Sequence, residues 1–131
     1  MTKFDIAVIG GGAYATAVLG QLSLLERNSS ETCKIVVIEK GQDFGPGLPY
    51  SCSTTISDHI VNIAGGCTQI TASYIPEQEN SDFLRWLRGL DKKYRHSLGL
   101  EDSEADQWVN QPFPRFIVGL YLQERYLPVS R

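Results

Sequence analysis

The sequence has few cysteines, and their arrangement excludes two common kinds of small-protein scaffold. Its three cysteines, Cys33, Cys52 and Cys67, are odd in number, widely spaced and without a Cys-x-x-Cys pair. Neither a disulfide framework nor a zinc site is therefore indicated. We expect reduced, small apolar side chains at these positions; the alternative, a catalytic thiol, would require an activating neighbour.

The sequence also lacks a block of basic residues and a long apolar run. A net charge of −3 gives no broad attraction to nucleic acid or to an anionic membrane. The apolar run before the first glycines has only four residues, too few for a signal-peptide core or a membrane span. These absences predict a cytoplasmic location by default and no nucleic-acid or membrane partner.

Patterns of metal ligands and of catalytic triads are missing as well. The acidic stretch 101–106 has the spacing of neither an EF-hand loop nor a dedicated metal site, and it predicts a solvated linker. His59 and His96 have no evident partners for a triad or a metal cluster. We predict no metal site and assign no catalytic residue. The ordinary globular composition and the length of 131 residues predict a single domain over 1–131.

What the sequence does contain is a glycine-rich segment directly after a short apolar run. The run 6–9 predicts a buried parallel strand, and a helical pattern follows the glycines. Gly10 can take the positive φ of a tight turn, Gly12 leaves room for a phosphate, and the small Ala15 allows the helix to pack close to the strand. The helix N-terminus then faces the anion. The predicted pyrophosphate residues are Gly10, Gly11, Gly12, Ala13, Tyr14 and Ala15.

The next two elements complete a predicted dinucleotide-binding βαβ core at 1–40. Apolar residues at helical spacing predict a helix over 13–26, and a β-branched run over 34–39 ends on the carboxylate of Glu39. A carboxylate at that place can accept hydrogen bonds from the adenosine ribose and repel the additional phosphate of NADP. The interval from Gly10 to Glu39 is longer than the roughly 20 residues of the general rule. The alternative is an ordinary strand-to-helix turn with a solvated strand-end carboxylate.

Residues 41–131 are predicted to form a loop-rich and helical extension. Regular structure is not expected in 41–51, and the apolar stretch 59–64 predicts either a backbone approach to a ligand or an edge strand and turn. Two amphipathic packing helices are expected, the first after an N-cap at Asn80 or Ser81 and the second over 115–125. Their predicted buried faces are Phe83, Leu84, Leu87 and Leu90, and Phe116, Ile117, Leu120 and Tyr121.

Several of these segments together resemble the N-terminal region of FAD/NAD(P)-binding oxidoreductases. The similarity lies in residues 5–17, in Ile38-Glu39-Lys40, and in 44–51, 59–63, 82–87 and 114–122, so it extends across nearly the whole chain. Within this group the sequence resembles the FAD-NAD(P)-binding family, which is itself similar to flavin-dependent N-hydroxylating monooxygenases.

The resemblance implies that the first βαβ unit binds the ADP half of FAD, with the glycines around the pyrophosphate and Glu39 at the ribose. It implies that Lys40 shapes the adenosine rim and that Gly47 and Asn62 line the flavin side. NAD(P)H is the implied electron donor. Many flavoproteins have proline at the position of Ala13, and related proteins continue into a second nucleotide-binding region that this sequence lacks.

The expected fold class is therefore α/β: a Rossmann-like FAD/NAD(P)-binding unit with parallel strands and additional packing helices, incomplete as a domain. Three hypotheses remain open. The chain is the N-terminal part of an FAD-dependent oxidoreductase, a small non-catalytic module that binds an adenine dinucleotide or a protein, or an NAD-binding unit of an ordinary dehydrogenase. The first predicts exposed apolar surface that is covered by the rest of the protein or by a self-associating copy.

Overall fold

The computed structural model describes residues 3–30, 32–68 and 81–126. Within them the chain forms strands β1 (Ile6–Ile9), β2 (Ile35–Ile38), β3 (Ile60–Ala64) and β4 (Pro112–Pro114). The helices are α1 (Ala13–Arg27), α2 (Gly47–Tyr50), α3 (Asp82–Gly89), α4 (Lys92–Ser97) and α5 (Arg115–Tyr126). Short 3-10 turns lie at Gly65–Cys67 and Asp102–Glu104.

The first three elements form the predicted βαβ unit. Strands β1 and β2 pair in parallel, with a register that runs from Ile6 opposite Ile35 to Ile9 opposite Ile38. The 15-residue helix α1 lies between them in the sequence, as a parallel connection requires. The Rossmann-like α/β class predicted from the glycines and the β-branched runs is confirmed.

The sheet of this unit is less buried than predicted. Ile6 and Val8 of β1 are half-buried, Ala7 is exposed, and Ile9 is 77% exposed. Parallel strands become fully buried when other layers cover both faces of the sheet. Because alternate residues of β1 remain exposed, one face of the sheet is open in the described part of the chain, and the prediction of a buried strand was wrong there.

The apolar residues whose spacing predicted helix α1 are not the residues that it buries. Its buried residues are Ala15, Thr16 and Leu19, whereas Val18 and Leu25, which contribute to the helical apolar spacing over 13–26, are exposed. Apolar spacing marks residues that could face a core, but burial depends on which element packs there. The exposed apolar residues of α1 therefore add to the open surface of the βαβ unit.

The main hydrophobic core lies in the second half of the chain. Strand β3 pairs antiparallel with β4, which gives the edge strand and turn that was one reading of 59–64. The core residues are Val61, Phe83, Leu84, Leu87, Leu100, Trp108, Phe113, Ile117, Val118, Tyr121 and Leu122. Phe83 is at its centre. Its ring makes edge-on contacts with Phe113 and Tyr121, at distances of 5.1 Å and 5.4 Å between the ring centroids.

Both predicted packing helices are confirmed. Ser81 is the N-cap of α3, because its hydroxyl accepts a hydrogen bond from the Leu84 N–H at 3.1 Å and donates one to the Gly65 carbonyl at 2.8 Å. Asn80, the other predicted cap, lies outside the described residues. In α5 the buried stripe includes Val118 and Leu122, so the predicted Phe116 and Leu120, which are half-buried, lie at its edge.

Three local predictions need correction. The loop 41–51 contains the one-turn helix α2, and the region after α3 contains α4 and β4, which were not predicted. The acidic stretch is more than a solvated linker, because the Asp102 carboxylate pairs with Arg95 at 3.0 Å and with Lys92 at 3.2 Å. These ion pairs attach the stretch to α4 and lower the pKa of Asp102, mainly through the hydrogen bond from Arg95.

Candidate dinucleotide site

The glycine turn connects β1 to α1 in the geometry that an anion site requires. Gly10 has a φ of +92°, which a residue with a side chain rarely adopts, and its N–H donates to the Ile38 carbonyl at 2.8 Å. Gly12 is the N-cap of α1 and offers no side chain to the first N–H groups of the helix. Because those groups have no partner within the helix, they are free to face an anionic ligand.

The Glu39 carboxylate lies directly against this turn. One oxygen accepts a hydrogen bond from the Gly11 N–H at 2.5 Å, and the other accepts one from the Gly41 N–H at 2.8 Å. These bonds, the one from Gly41 first, lower the pKa of Glu39, so the side chain is ionised at neutral pH. The structure thus brings the predicted ribose residue next to the predicted pyrophosphate residues.

The loop 43–51 covers the other side of the turn. The Gly45 N–H donates to the Gly11 carbonyl at 2.6 Å, and the Phe44 ring lies so close to Gly11 that a Cβ there would be 2.7 Å from its Cδ1 atom. Gly47, predicted on the flavin side, packs beside Gly12: a Cβ on Gly47 would be 3.1 Å from the Gly12 Cα. The loop and the glycine turn therefore meet at two residues without side chains, Gly47 and Gly12.

The remaining predicted residues occupy different environments. Ala13 packs against the main core, Ala15 is buried, and Tyr14 is 92% exposed in the first turn of α1. Lys40 is exposed directly after the Glu39 carboxylate. Asn62 is exposed in β3, which belongs to the second sheet rather than to the β1–β2 sheet. Its predicted role beside a flavin stays a prediction.

The structure adds residues to the site that sequence reasoning did not select. Phe44 and Gly45 contact the glycine turn directly, and a hydrogen bond of 2.7 Å from the Ser51 hydroxyl to the Asp43 carboxylate closes the loop that carries them. The dense glycines and prolines at 45–49 were the available signal. That signal predicts a turn, but it does not predict which distant segment the turn contacts.

The chemistry of the described site is binding by backbone donors and one carboxylate. In the described ranges, no group of three or more histidine, cysteine, aspartate or glutamate side chains is placed to hold a metal ion. None of the described helices has both the length and the apolar character needed to cross a bilayer. The pyrophosphate and ribose of a dinucleotide fit the positive-φ glycine, the helix N-terminus without a side-chain cap and the ionised Glu39.

Comparison with known proteins shows which sequences the chain is similar to. The uncharacterized proteins Rv3403c of Mycobacterium tuberculosis (strain ATCC 25618 / H37Rv) and Mb3437c of Mycobacterium bovis are each 23% identical to the chain over 141 residues. Each alignment covers 95% of the chain and 25% of the relative, so the chain spans about a quarter of the length of these curated relatives. No solved structure gives a significant match.

A family model described as FAD-NAD(P)-binding matches residues 7–131, a range that includes the glycine turn, Glu39 and both packing helices. The match confirms the resemblance seen in the sequence and gives the chain a dinucleotide-binding role, with a flavin or nicotinamide dinucleotide as the cofactor. Because the match covers nearly the whole length, the chain belongs to the FAD-NAD(P)-binding family.

Proposed function

We propose that the chain is the N-terminal FAD-binding region of a flavin-dependent oxidoreductase that uses NAD(P)H as its electron donor. The observation that carries the proposal is the ionised Glu39 carboxylate, hydrogen-bonded at 2.5 Å to the Gly11 N–H of the glycine turn. This arrangement puts a ribose acceptor next to a set of backbone donors for a pyrophosphate, which suits the ADP half of FAD.

Each predicted residue has a role in this proposal. The N–H groups at the start of α1 hold the pyrophosphate, and Glu39, oriented by the Gly41 N–H, accepts hydrogen bonds from the ribose hydroxyls. Lys40 borders the adenosine, while Gly47 and Asn62 line the flavin side. When bound, FAD supplies the redox chemistry: it accepts a hydride from NAD(P)H and passes electrons onward. The chain itself binds and orients the cofactor.

The open sheet face supports the view that a longer protein contains the rest of the site. Ile9 is 77% exposed and its register partner Ile38 is 54% exposed, at the ends of the strands beside the glycine turn. Apolar surface of this kind is normally covered by another layer or by a partner. We propose that further polypeptide of the same protein covers it and completes the NAD(P)H site, and that the isolated chain self-associates through the open edge. A chain that stays monomeric at high concentration would count against the second part.

The location proposed for this protein is the cytoplasm. Cys33, Cys52 and Cys67 are all free and exposed. Exposed free thiols are typical of a reducing compartment.

The proposed function is tested by titrating the chain with FAD, NADH and NADPH and measuring the quenching of fluorescence. We expect saturable FAD binding, with NADPH weaker than NADH because Glu39 repels the additional phosphate. Glu39→Gln should weaken FAD by about tenfold, since a charged acceptor is lost. Glu104→Gln makes the same charge change at an exposed position outside the site and should leave the affinity unchanged.

The outcomes separate the hypotheses. FAD binding that Glu39→Gln weakens, but Glu104→Gln does not, supports the proposal. Binding of NADH without FAD would favour the nicotinamide alternative. If no dinucleotide binds, or if the two variants behave alike, the proposed site is wrong.

A further inference from the structure

Helix α5 and the loop 43–51 approach each other backbone to backbone at two glycines. A Cβ on Gly119 would lie 2.0 Å from the Tyr50 carbonyl oxygen, and a Cβ on Gly45 would lie 2.7 Å from the Leu122 carbonyl oxygen. Gly45 also has a φ of +102°. Because no side chain fits at either position, the two glycines determine how closely the loop packs against the helix.

The helix is the fixed partner in this contact. Ile117 and Tyr121 of α5 are fully buried in the main core, and the Tyr121 hydroxyl donates to the buried Asp82 carboxylate at 2.7 Å. Arg125 adds a second bond to the same carboxylate at 2.9 Å. A tightly packed helix resists displacement, so a clash at Gly119 or Gly45 must be relieved mainly by movement of the loop.

The opposite side of the loop contacts the glycine turn. The Gly45 N–H donates to the Gly11 carbonyl at 2.6 Å, the Phe44 ring lies on Gly11, and Gly47 packs beside Gly12. Gly45 therefore faces α5 on the side where a Cβ would lie, and its N–H bonds the glycine turn. Because the loop lies between α5 and the glycine turn, a displacement of the loop away from α5 presses on Gly11 and must move the turn or distort the bond to it.

We propose that Gly119 and Gly45 are positioning residues of the dinucleotide site, through which α5 sets the place of the glycine turn at 10–12. They act through the loop 43–51 and touch no cofactor. The affinity consequence rests on the proposed function, whereas the structural coupling between α5 and the turn does not. An enlarged residue at either glycine should shift the pyrophosphate donors out of place while the main core remains folded.

The coupling is tested in the cofactor-free chain by amide NMR of Gly119→Ala and Gly45→Ala. We expect both substitutions to shift the resonances of Gly11 and Gly12. The matched control is Gly89→Ala, a helical glycine whose added Cβ would meet no atom within 4 Å. A second control, Val61→Ala, destabilises the core at a buried residue of β3 and should leave these resonances in place.

Affinity supplies the second readout. If the wild-type chain binds FAD, Gly119→Ala should lower the affinity for FAD by about tenfold, which is the effect of losing one hydrogen bond to a charged phosphate. Val61→Ala should leave the affinity unchanged despite its lower stability, which separates positioning from a general loss of structure. Tryptophan fluorescence, to which the 1% exposed Trp108 contributes, reports whether each variant is folded.

The results distinguish this inference from the proposed function. If the wild-type chain binds no FAD, the proposed function fails, and the NMR shifts still decide on the coupling. If Gly119→Ala does not fold, the resonance shifts in Gly45→Ala decide on the coupling. A further measurement requires no variant: FAD binding to the wild-type chain should shift the Gly119 resonance. Unmoved Gly11 and Gly12 resonances in a folded variant, or an unmoved Gly119 resonance on FAD binding, would overturn the proposal.

Discussion

Removal of the Tyr121 hydroxyl should destabilise the protein while leaving its shape unchanged. This hydroxyl donates to the Asp82 carboxylate at 2.7 Å between α5 and α3, and the side chains of both residues are buried. Tyr121→Phe keeps the ring and its edge-on contact with Phe83, so it removes only the hydroxyl group. Arg125 still pairs with Asp82 at 2.9 Å, which keeps the carboxylate partly satisfied.

The expected cost follows from the charge and burial of the acceptor. A hydrogen bond to a charged group contributes about 1.5–3 kcal/mol, and we expect a loss of about 2 kcal/mol in the free energy of unfolding. For a chain of this size the loss corresponds to a fall in Tm of about 6–8 °C. Urea unfolding followed by tryptophan fluorescence measures it, with an unchanged m-value because the folded surface is the same.

Arg85→Ala provides the control for this measurement. Arg85 also faces Asp82, but at 3.7 Å and with its side chain 62% exposed. Exposed pairs of this kind contribute little, so we expect a change below about 0.5 kcal/mol. If Tyr121→Phe costs no more than Arg85→Ala, the argument that the buried bond holds α5 against α3 is refuted.

Two further predictions concern the candidate site. Gly12→Val should abolish dinucleotide binding and leave the helical circular dichroism largely intact, because the valine γ-carbons extend beyond a Cβ position that is already 3.5 Å from the Gly47 Cα. Gly12→Ala is the control and should fold normally. Unchanged dinucleotide affinity in the valine variant would mean that the site lies elsewhere. The hydrogen bonds from Gly41 and Gly11 lower the pKa of Glu39 below its ordinary value of 4.5, so they stabilise the fold above that pH and the contribution is lost as the pH falls through the lowered pKa. Urea unfolding of Glu39→Gln from pH 6 to pH 3 should show a weaker loss of stability on acidification than the wild type, and an identical dependence would contradict the assignment.

The sequence predicted the elements whose signals are local. A short apolar run, three glycines and a helical pattern predict β1, the turn and α1 within a short stretch, and an N-cap at Asn80 or Ser81 before an apolar stripe predicts the start of α3. Strand β4 escaped prediction because Pro112 and Pro114 flank Phe113, and proline argues against a strand unless it lies at an edge, as it does here.

The parts of the site that sequence reasoning missed depend on contacts between distant segments. Glu39 was predicted from its place at the end of a strand, but its bond to the Gly11 N–H depends on the parallel register of β1 and β2. The packing of Phe44 on Gly11 and of Gly45 on α5 requires the loop to fold back on both. No spacing rule specifies such a contact, so the cover of the glycine turn became visible only in the folded chain.

The position of the main core makes the two halves of the chain unequal in local stability. All of the main core residues lie between 61 and 122, whereas the described part of the βαβ unit buries few side chains, those of Ala15, Thr16 and Leu19 in α1. Segments with little buried apolar surface open at lower free energy than the core, so backbone amides of β1 and β2 should exchange hydrogen faster than those of α3 and α5. A ligand that binds only the closed form shifts that balance, by about 2.7 kcal/mol at a hundredfold excess over its Kd. Part of the binding free energy is then used to order the binding unit, and slowed amide exchange in β1 and β2 would report occupancy of the site.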